Sequence, residues 1–128
     1  MSVHVYIVDH PLTEAAAWQV PTGAGAVLCF EGIARPHEDD RPIKALDYEA
    51  YQPMAERMLR RIGEEAVAEH GLLGLCVEHS TGRVAAGECS FRLRIASAHR
   101  KEGLAAMDQF IDRMKQVVPL WKQAVYVE

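Results

Sequence analysis

Polar and apolar residues alternate at the start of the chain, where His4 and Tyr6 separate Val3, Val5 and Ile7 before Pro11 interrupts the run. That period of two predicts a half-buried strand. Thr13 can cap a short helix running to Trp18, because a threonine oxygen accepts from the free N–H groups of a first turn. Gly23 and Gly25 lead into AVLCF, an unbroken apolar run of the kind a strand buried on both faces carries, ending near Arg35. The stretch PHEDDRP then gathers prolines and charges, which predicts an exposed, mobile loop, and IKALDYEAY alternates again.

Pro53 suits a first helical turn, and Met54, Met58, Leu59, Ile62, Ala66 and Val67 share one face at helical spacing as far as Gly71. Leu73, Leu75 and Val77 predict a strand, with a turn around Gly82. Next, Cys89, Phe91, Leu93 and Ile95 alternate strictly with Ser90, Arg92 and Arg94. From about Arg100, the stripe Leu104, Met107, Ile111, Met114 and Val118 predicts a helix that Pro119 must end, and the tail LWKQAVYVE is left without an element. The order β, α, β, β, α, β, β, α, tail describes an α+β fold, a mixed and largely antiparallel sheet with packed helices. At 128 residues a single domain spanning 1–128 is expected.

Composition narrows the classes. With 49% hydrophobic and 25% charged residues the chain can build a core. It shows no apolar run near the roughly 20 residues that span a bilayer and no basic, apolar leader at its start, so no membrane association and a cytoplasmic location are expected. Cys29, Cys76 and Cys89 are odd in number and set among apolar neighbours, which predicts buried, reduced thiols. A net charge of -4 discourages a nucleic-acid partner. The charge is uneven, however: residues 1–91 carry 7 Lys/Arg against 14 Asp/Glu, and residues 92–122 carry 7 against 3. A basic segment of that kind can attract a small anion or a carboxylate tail.

Chemistry-bearing motifs are few. No two of the six histidines stand at HxxxH spacing and no CxxC occurs, so no metal is expected. Gly23 and Gly25 precede a strand where a dinucleotide loop would open a helix. SAHRKE, at the junction of the clearest strand and the last helix, places His99 and Arg100 at a helix N-terminus, where free N–H groups favour phosphate or carboxylate. The plain alternative is that Ser97 caps the helix and both side chains face water. In MKQVVPLWK, Lys115 falls in the last helical turn and Lys122 just past Pro119. Lys115 lies at the edge of the apolar stripe, so its amine can enter a crevice, or snorkel to solvent. Two lysines brought together beside Arg100 would each disfavour the other's protonation and suit proton transfer.

FEGIAR with its charged loop, ALDYEAYQPMAE, SAHRKE and MDQFIDRMKQVVPLWK follow one another in the order and spacing of the molybdopterin synthase large subunits, and over residues 23–123 the chain resembles that family, the MoaE family. The resemblance implies an α/β hammerhead-like fold and a homodimer with a ubiquitin-like small subunit at each end. The implied reaction takes sulfur from the thiocarboxylated C-terminal Gly-Gly of that small subunit and gives it to cyclic pyranopterin monophosphate, which becomes the dithiolene of molybdopterin, with no metal or organic cofactor. Matched residue by residue, Lys115 and Lys122 correspond to the family's active-site lysines, His99 and Arg100 to its His-Arg pair, and Phe30 and Arg35 to residues near the pocket. Lys115 would transfer protons and contact the partner's terminal carbonyl, Lys122 would orient substrate or thiocarboxylate, and Arg35, His99 and Arg100 would hold phosphate and pterin oxygens. Where the family often reads His-Arg-Ile-Gly, this chain has His79, Ser80, Thr81 and Gly82. A non-catalytic paralogue that binds the small subunit without sulfur transfer is the alternative, and a ferredoxin-like anion sensor is a more distant one.

Overall fold

The computed structural model describes residues 2–128. Its chain order is β1 (Val3–Val8), β2 (Ala26–Ile33), β3 (His37–Glu38), β4 (Arg41–Ala50), α1 (Met54–His70), β5 (Gly74–Ser80), β6 (Gly82–Ala85), β7 (Cys89–Ser97), α2 (Arg100–Val117) and β8 (Leu120–Tyr126). Four strands form the main sheet in the order β1-β5-β7-β2, and a smaller sheet runs β3-β4-β6 with β8 also paired to β4. Only β1 and β5 pair in parallel among the strand pairs described, so the expected α+β, largely antiparallel architecture is what forms.

Both helices lie on one face of the main sheet. Leu59, Ile62 and Ala66 of α1 and Ala106, Phe110 and Met114 of α2 pack on Val3, Val5, Leu75, Val77, Leu93 and Ile95. A glycine lets each helix approach. A Cβ on Gly63 would stand 2.9 Å from Val3 Cγ1, and one on Gly103 would stand 2.6 Å from Leu28 Cδ1 and 2.7 Å from Ser97 Oγ. The exposed Leu104 does not belong to the buried stripe, which is Ala106, Met107, Phe110 and Met114. Ala34, Ile43, Leu46 and Val84 make a second, smaller core under the other sheet.

Several expectations are corrected. Residues 13–18 are not helical. Their backbone is spent elsewhere: Arg92 Nη2 donates to Thr13 O at 2.9 Å, Arg94 Nη2 to Ala16 O at 2.7 Å, and Ala16 N–H to Glu78 Oε1 at 3.1 Å. The segment is thus a strap across the sheet face opposite the helices. Instead of a mobile loop, PHEDDRP forms the β3–β4 hairpin, with His37 opposite Pro42 and Glu38 opposite Arg41. Asp39 and Asp40 turn it at φ 51° and 61°, the paired left-handed conformation that aspartate tolerates and tight hairpins need. Cys29 is exposed, because β2 is the edge strand of its sheet, while Cys76 and Cys89 are buried. The turn at Gly82 continues into a further strand, β6.

The tail is a strand as well. Val118 N–H still bonds Met114 O at 3.1 Å, but Pro119 has no N–H to offer a next helical turn. Leu120 N–H reaches back to Val118 O at 2.8 Å, and the chain reverses into β8 along β4. That reversal folds residues 120–122 back beside the end of α2.

Candidate functional site

The reversal at Pro119 opens a cavity of about 620 Å³ between the two sheets and the last turns of α2. Ile111, Met114 and Lys115 come from α2, Leu120, Trp121 and Lys122 from β8, and Phe30, Gly32 and Ile33 from β2. Arg35 follows β2, Glu38 sits on the hairpin, and Leu46 and Tyr48 line the β4 side. Glu31 of β2 and His79, Ser90 and Phe91 from other strands of the main sheet complete the lining. Of the residues expected from the sequence, Phe30, Arg35, Lys115 and Lys122 therefore share one cavity. Three of the four are cations, which suits an anionic guest.

His99 and Arg100 do not join them within one chain. They stand at the N-terminal end of α2, and Lys115 follows Arg100 by 15 positions, or about 22 Å of helix. The His99 ring is 83% exposed and lies 3.7 Å from Glu102 Oε2. Ser97 does not cap the helix; its hydroxyl donates to His99 O at 2.6 Å. Nor do the basic residues of segment 92–122 form one patch, since Arg92 and Arg94 turn into the strap.

Register explains how Lys122 enters. It is directly opposite Tyr48 in the antiparallel β4–β8 ladder, and Leu120 is opposite Ala50. Opposed residues on such strands point to the same face, so the alternation Leu120, Lys122 presents the lysine beside Tyr48. Lys122 Nζ lies 3.5 Å from Glu38 Oε1. The charge next to this lysine is accordingly a carboxylate, where the sequence suggested a second cation.

Deeper in, the lining is polar and neutral. Tyr48 Oη and Ser90 Oγ are hydrogen-bonded at 3.0 Å. His79 is 5% exposed, with its ring edge-on to Tyr48 at 5.3 Å between centroids and tilted against Phe91 at 5.9 Å. Its Nδ1 is 2.7 Å from Ser80 O, and since a carbonyl only accepts, Nδ1 carries the hydrogen. Burial pushes the His79 pKa down, against a smaller upward pull from that bond. The ring is neutral at pH 7, with Nε2 as a bare acceptor.

Glu31 ties the cavity wall to the strap. Arg92 Nε donates to Glu31 Oε2 at 2.8 Å, and Arg92 and Arg94 share the buried Glu78 at 3.4 and 3.3 Å. Burial works against the Arg92 charge, and the two carboxylates outweigh it. Burial likewise pushes all three thiols up, so no cysteine here is poised as a thiolate nucleophile. A second hollow of about 710 Å³ opens beside β1, where Asp9 and Glu49 and no lysine or arginine line it, a poor match for an anion. Among the described residues no group of His, Cys, Asp or Glu could hold a metal ion, and no helix is long and apolar enough to cross a membrane.

The family model described as MoaE protein matches residues 7–117. This chain belongs to the MoaE family. Its whole length aligns at 35% identity with the molybdopterin synthase catalytic subunit of Aspergillus niger, covering 72% of that relative. With the Oryza sativa subsp. japonica protein of the same name, identity is 43% over 103 residues, 80% of this chain and 53% of the relative. The chain thus spans about half the length of the rice protein. In three dimensions this MoaE chain superposes on the crystal structure of molybdopterin synthase from Staphylococcus aureus with a TM-score of 0.84 at 29% identity, over 96% of this chain and 91% of that one.

Tyr48, His79, Ser90 and Glu38 are the lining residues that sequence reasoning missed. Tyr48 had a signal, since the alternation of ALDYEAY puts it on the same face as Leu46. His79 was named only as the start of the tetrapeptide that departs from the family's pattern, and Ser90 had no signal, because two neighbouring strands of a sheet can be matched only after their register is known.

Proposed function

We propose that this chain is a molybdopterin synthase catalytic subunit, a sulfurtransferase. It would move sulfur from the thiocarboxylated Gly-Gly end of a ubiquitin-like small subunit to cyclic pyranopterin monophosphate. The observation that carries this reading is the convergence of Arg35, Lys115 and Lys122, with Phe30, on one cavity. Both reactants are anionic, and three cations gathered at one cavity attract them there, with a strength that solvent and salt at these exposed side chains reduce.

Lys115, anchored by its stem at the end of α2, exchanges protons with the reacting groups and contacts the thiocarboxylate carbonyl. Lys122 orients the thiocarboxylate or the phosphate, and Arg35 offers a fork of N–H donors to phosphate oxygens. In each transfer the sulfur bonds to a side-chain carbon of the pterin as a C–O bond at that carbon breaks and its oxygen departs. Water then cleaves the acyl–sulfur bond, leaving the sulfur on the pterin and a carboxylate on the small subunit. No metal or organic cofactor enters this scheme. His99 and Arg100, at the far end of α2, would act on the cavity of a second copy in a homodimer, supplying anion contacts there. A cytoplasmic setting, where thiols stay reduced, fits the three unpaired cysteines.

The test is reconstitution: purified chain, thiocarboxylated small subunit and cyclic pterin phosphate, with mass spectrometry following the partner's exchange of one sulfur for oxygen per transfer. Product is expected, and Lys115→Ala should abolish it while the small subunit still binds. Binding of the small subunit with no product from the wild-type chain would leave a non-catalytic paralogue in its place.

A further inference from the structure

The cavity described above has two chemically different ends. Arg35, Lys115 and Lys122 are its cations, whereas Tyr48, His79 and Ser90 are neutral hydrogen-bonding groups set between the two sheets. His79 and Ser90 are almost sealed from solvent, at 5% and 4% exposed, and Tyr48 is half-buried. Polar groups placed that deep lose hydration on folding and are retained where something else satisfies them.

Counting donors and acceptors shows what is left over. Tyr48 and Ser90 carry one hydroxyl hydrogen each, and their mutual bond uses one of the two. His79 spends its only N–H on Ser80 O. One O–H donor therefore remains beside one unshared imidazole nitrogen, Nε2, for which the described residues provide no partner. A guest that satisfies both must present an N–H next to a carbonyl oxygen on one edge. Aromatic surface lies beside this position, where Phe30 and Phe91 pack on each other with ring centroids 6.0 Å apart and a tilt of 57°. The cationic end is one cross-strand step away, since Tyr48 is paired with Lys122.

We propose that His79, Tyr48 and Ser90 form the subsite that reads the amide edge of the pterin ring, with His79 Nε2 accepting from ring N–H and the free hydroxyl donating to the ring carbonyl. This rests on the sulfur-transfer reading for the identity of the guest, and it fixes the guest's direction: heterocycle inward against the aromatic walls, cyclic phosphate outward at Arg35, Lys115 and Lys122. A planar lactam edge and a phosphate at opposite ends of one molecule match the two ends of the cavity. Selectivity follows, because a phosphate lacking the amide edge forgoes both hydrogen bonds at this end of the cavity.

The Gly-Gly end of the small subunit also carries N–H and C=O groups, so the experiment separates the two guests. Calorimetric titrations would use the wild-type chain, His79→Phe and Tyr48→Phe, each against cyclic pterin phosphate and, separately, against small subunit ending in an ordinary carboxylate. Loss of one buried hydrogen bond should weaken pterin binding about tenfold in either variant, with small-subunit affinity changed less than about twofold. His79→Gln, which restores an acceptor oxygen, should recover part of the loss. Unchanged pterin affinity in folded variants would overturn the proposal. So would equal weakening toward both ligands, which would mark a packing defect, or weakening toward the small subunit alone, which would give the subsite to the tail. Tyr48→Phe keeps the ring and Ser90→Ala removes the other hydroxyl, and since either can be the free donor, unchanged pterin affinity in both decides the matter if His79→Phe does not fold. The wild-type sulfur-transfer assay is separate: pterin binding without product refutes the catalytic reading and leaves the subsite standing.

Discussion

Lys122 and Glu38 face each other at 3.5 Å within the cavity lining, one from β8 and one from the β3–β4 hairpin. The carboxylate occupies the very ammonium that an anionic guest needs. With the lysine side chain 49% exposed and the glutamate 23%, solvent screening keeps the pair's contribution to stability within about 1 kcal/mol. Glu38→Gln should therefore leave the melting temperature nearly unchanged and tighten binding of cyclic pterin phosphate, by roughly two- to fivefold at low salt, with the gain shrinking as salt rises. Weaker binding in the variant would mean that Glu38 holds Lys122 in position for the guest instead of competing with it.

His79 gives the fold a pH dependence whose sign is fixed by its burial. Its folded pKa lies below the 6.5 of a free imidazole, so the unfolded chain binds the proton more readily. The stability that depends on neutral His79 is complete above the unfolded value and is lost as pH falls below it, at up to about 1.4 kcal/mol per pH unit. Denaturant midpoints of the wild type should fall between roughly pH 7.5 and 5 more steeply than those of His79→Phe. Parallel curves for the two proteins would remove His79 from the account.

The helices and most strands were legible because one face of each is apolar and the other polar, so periodicity alone locates them. What the sequence hid were features decided by a partner elsewhere in the chain. Residues 13–18 read as a capped helix, yet two arginines on β7, some 80 residues later, claim the carbonyls of Thr13 and Ala16. The hairpin at Asp39 and Asp40 looked like a charged loop because its turn uses two aspartates in left-handed geometry without the usual glycine. Lys115 and Lys122 were recognisable as a pair, through the resemblance and through Pro119 standing between them. That they meet depends on β8, which a short tail next to a proline does not announce. The neutral end of the cavity was unreadable, since Tyr48, His79 and Ser90 lie on three strands and become neighbours only through sheet register.

The strap is held by buried charge, and its failure should be local before it is global. Glu78 is 4% exposed and serves Arg92, Arg94 and the Ala16 N–H at once. Glu78→Gln removes the carboxylate partner of Arg94 and leaves Arg92 with Glu31 alone, and stripping a largely buried guanidinium of its partner is a change of the kind that costs about 3 kcal/mol or more. Limited proteolysis should then cut within residues 13–20 well before the sheet unfolds, with a lowered denaturant midpoint beside it. A resistant strap in the variant would show that other contacts, such as the Arg94 guanidinium over the Trp18 ring, carry it.

His99 and Arg100 lie at one end of α2 and Lys115 at the other, so one chain cannot bring all three to one guest. If two copies complete each other's cavities, Lys115→Ala and Arg100→Ala should each be nearly inactive alone and recover activity when combined in one dimer. A mixed dimer holds one cavity with both defects and one with neither. Random pairing makes about half of all dimers mixed, so the pool should regain about a quarter of wild-type turnover. Subunits must be exchanged by co-expression or joint refolding, and turnover read by loss of sulfur from the small subunit. If Arg100 instead acted on its own chain's cavity, every cavity in the mixture would keep one defect, and activity would stay at the level of the single variants.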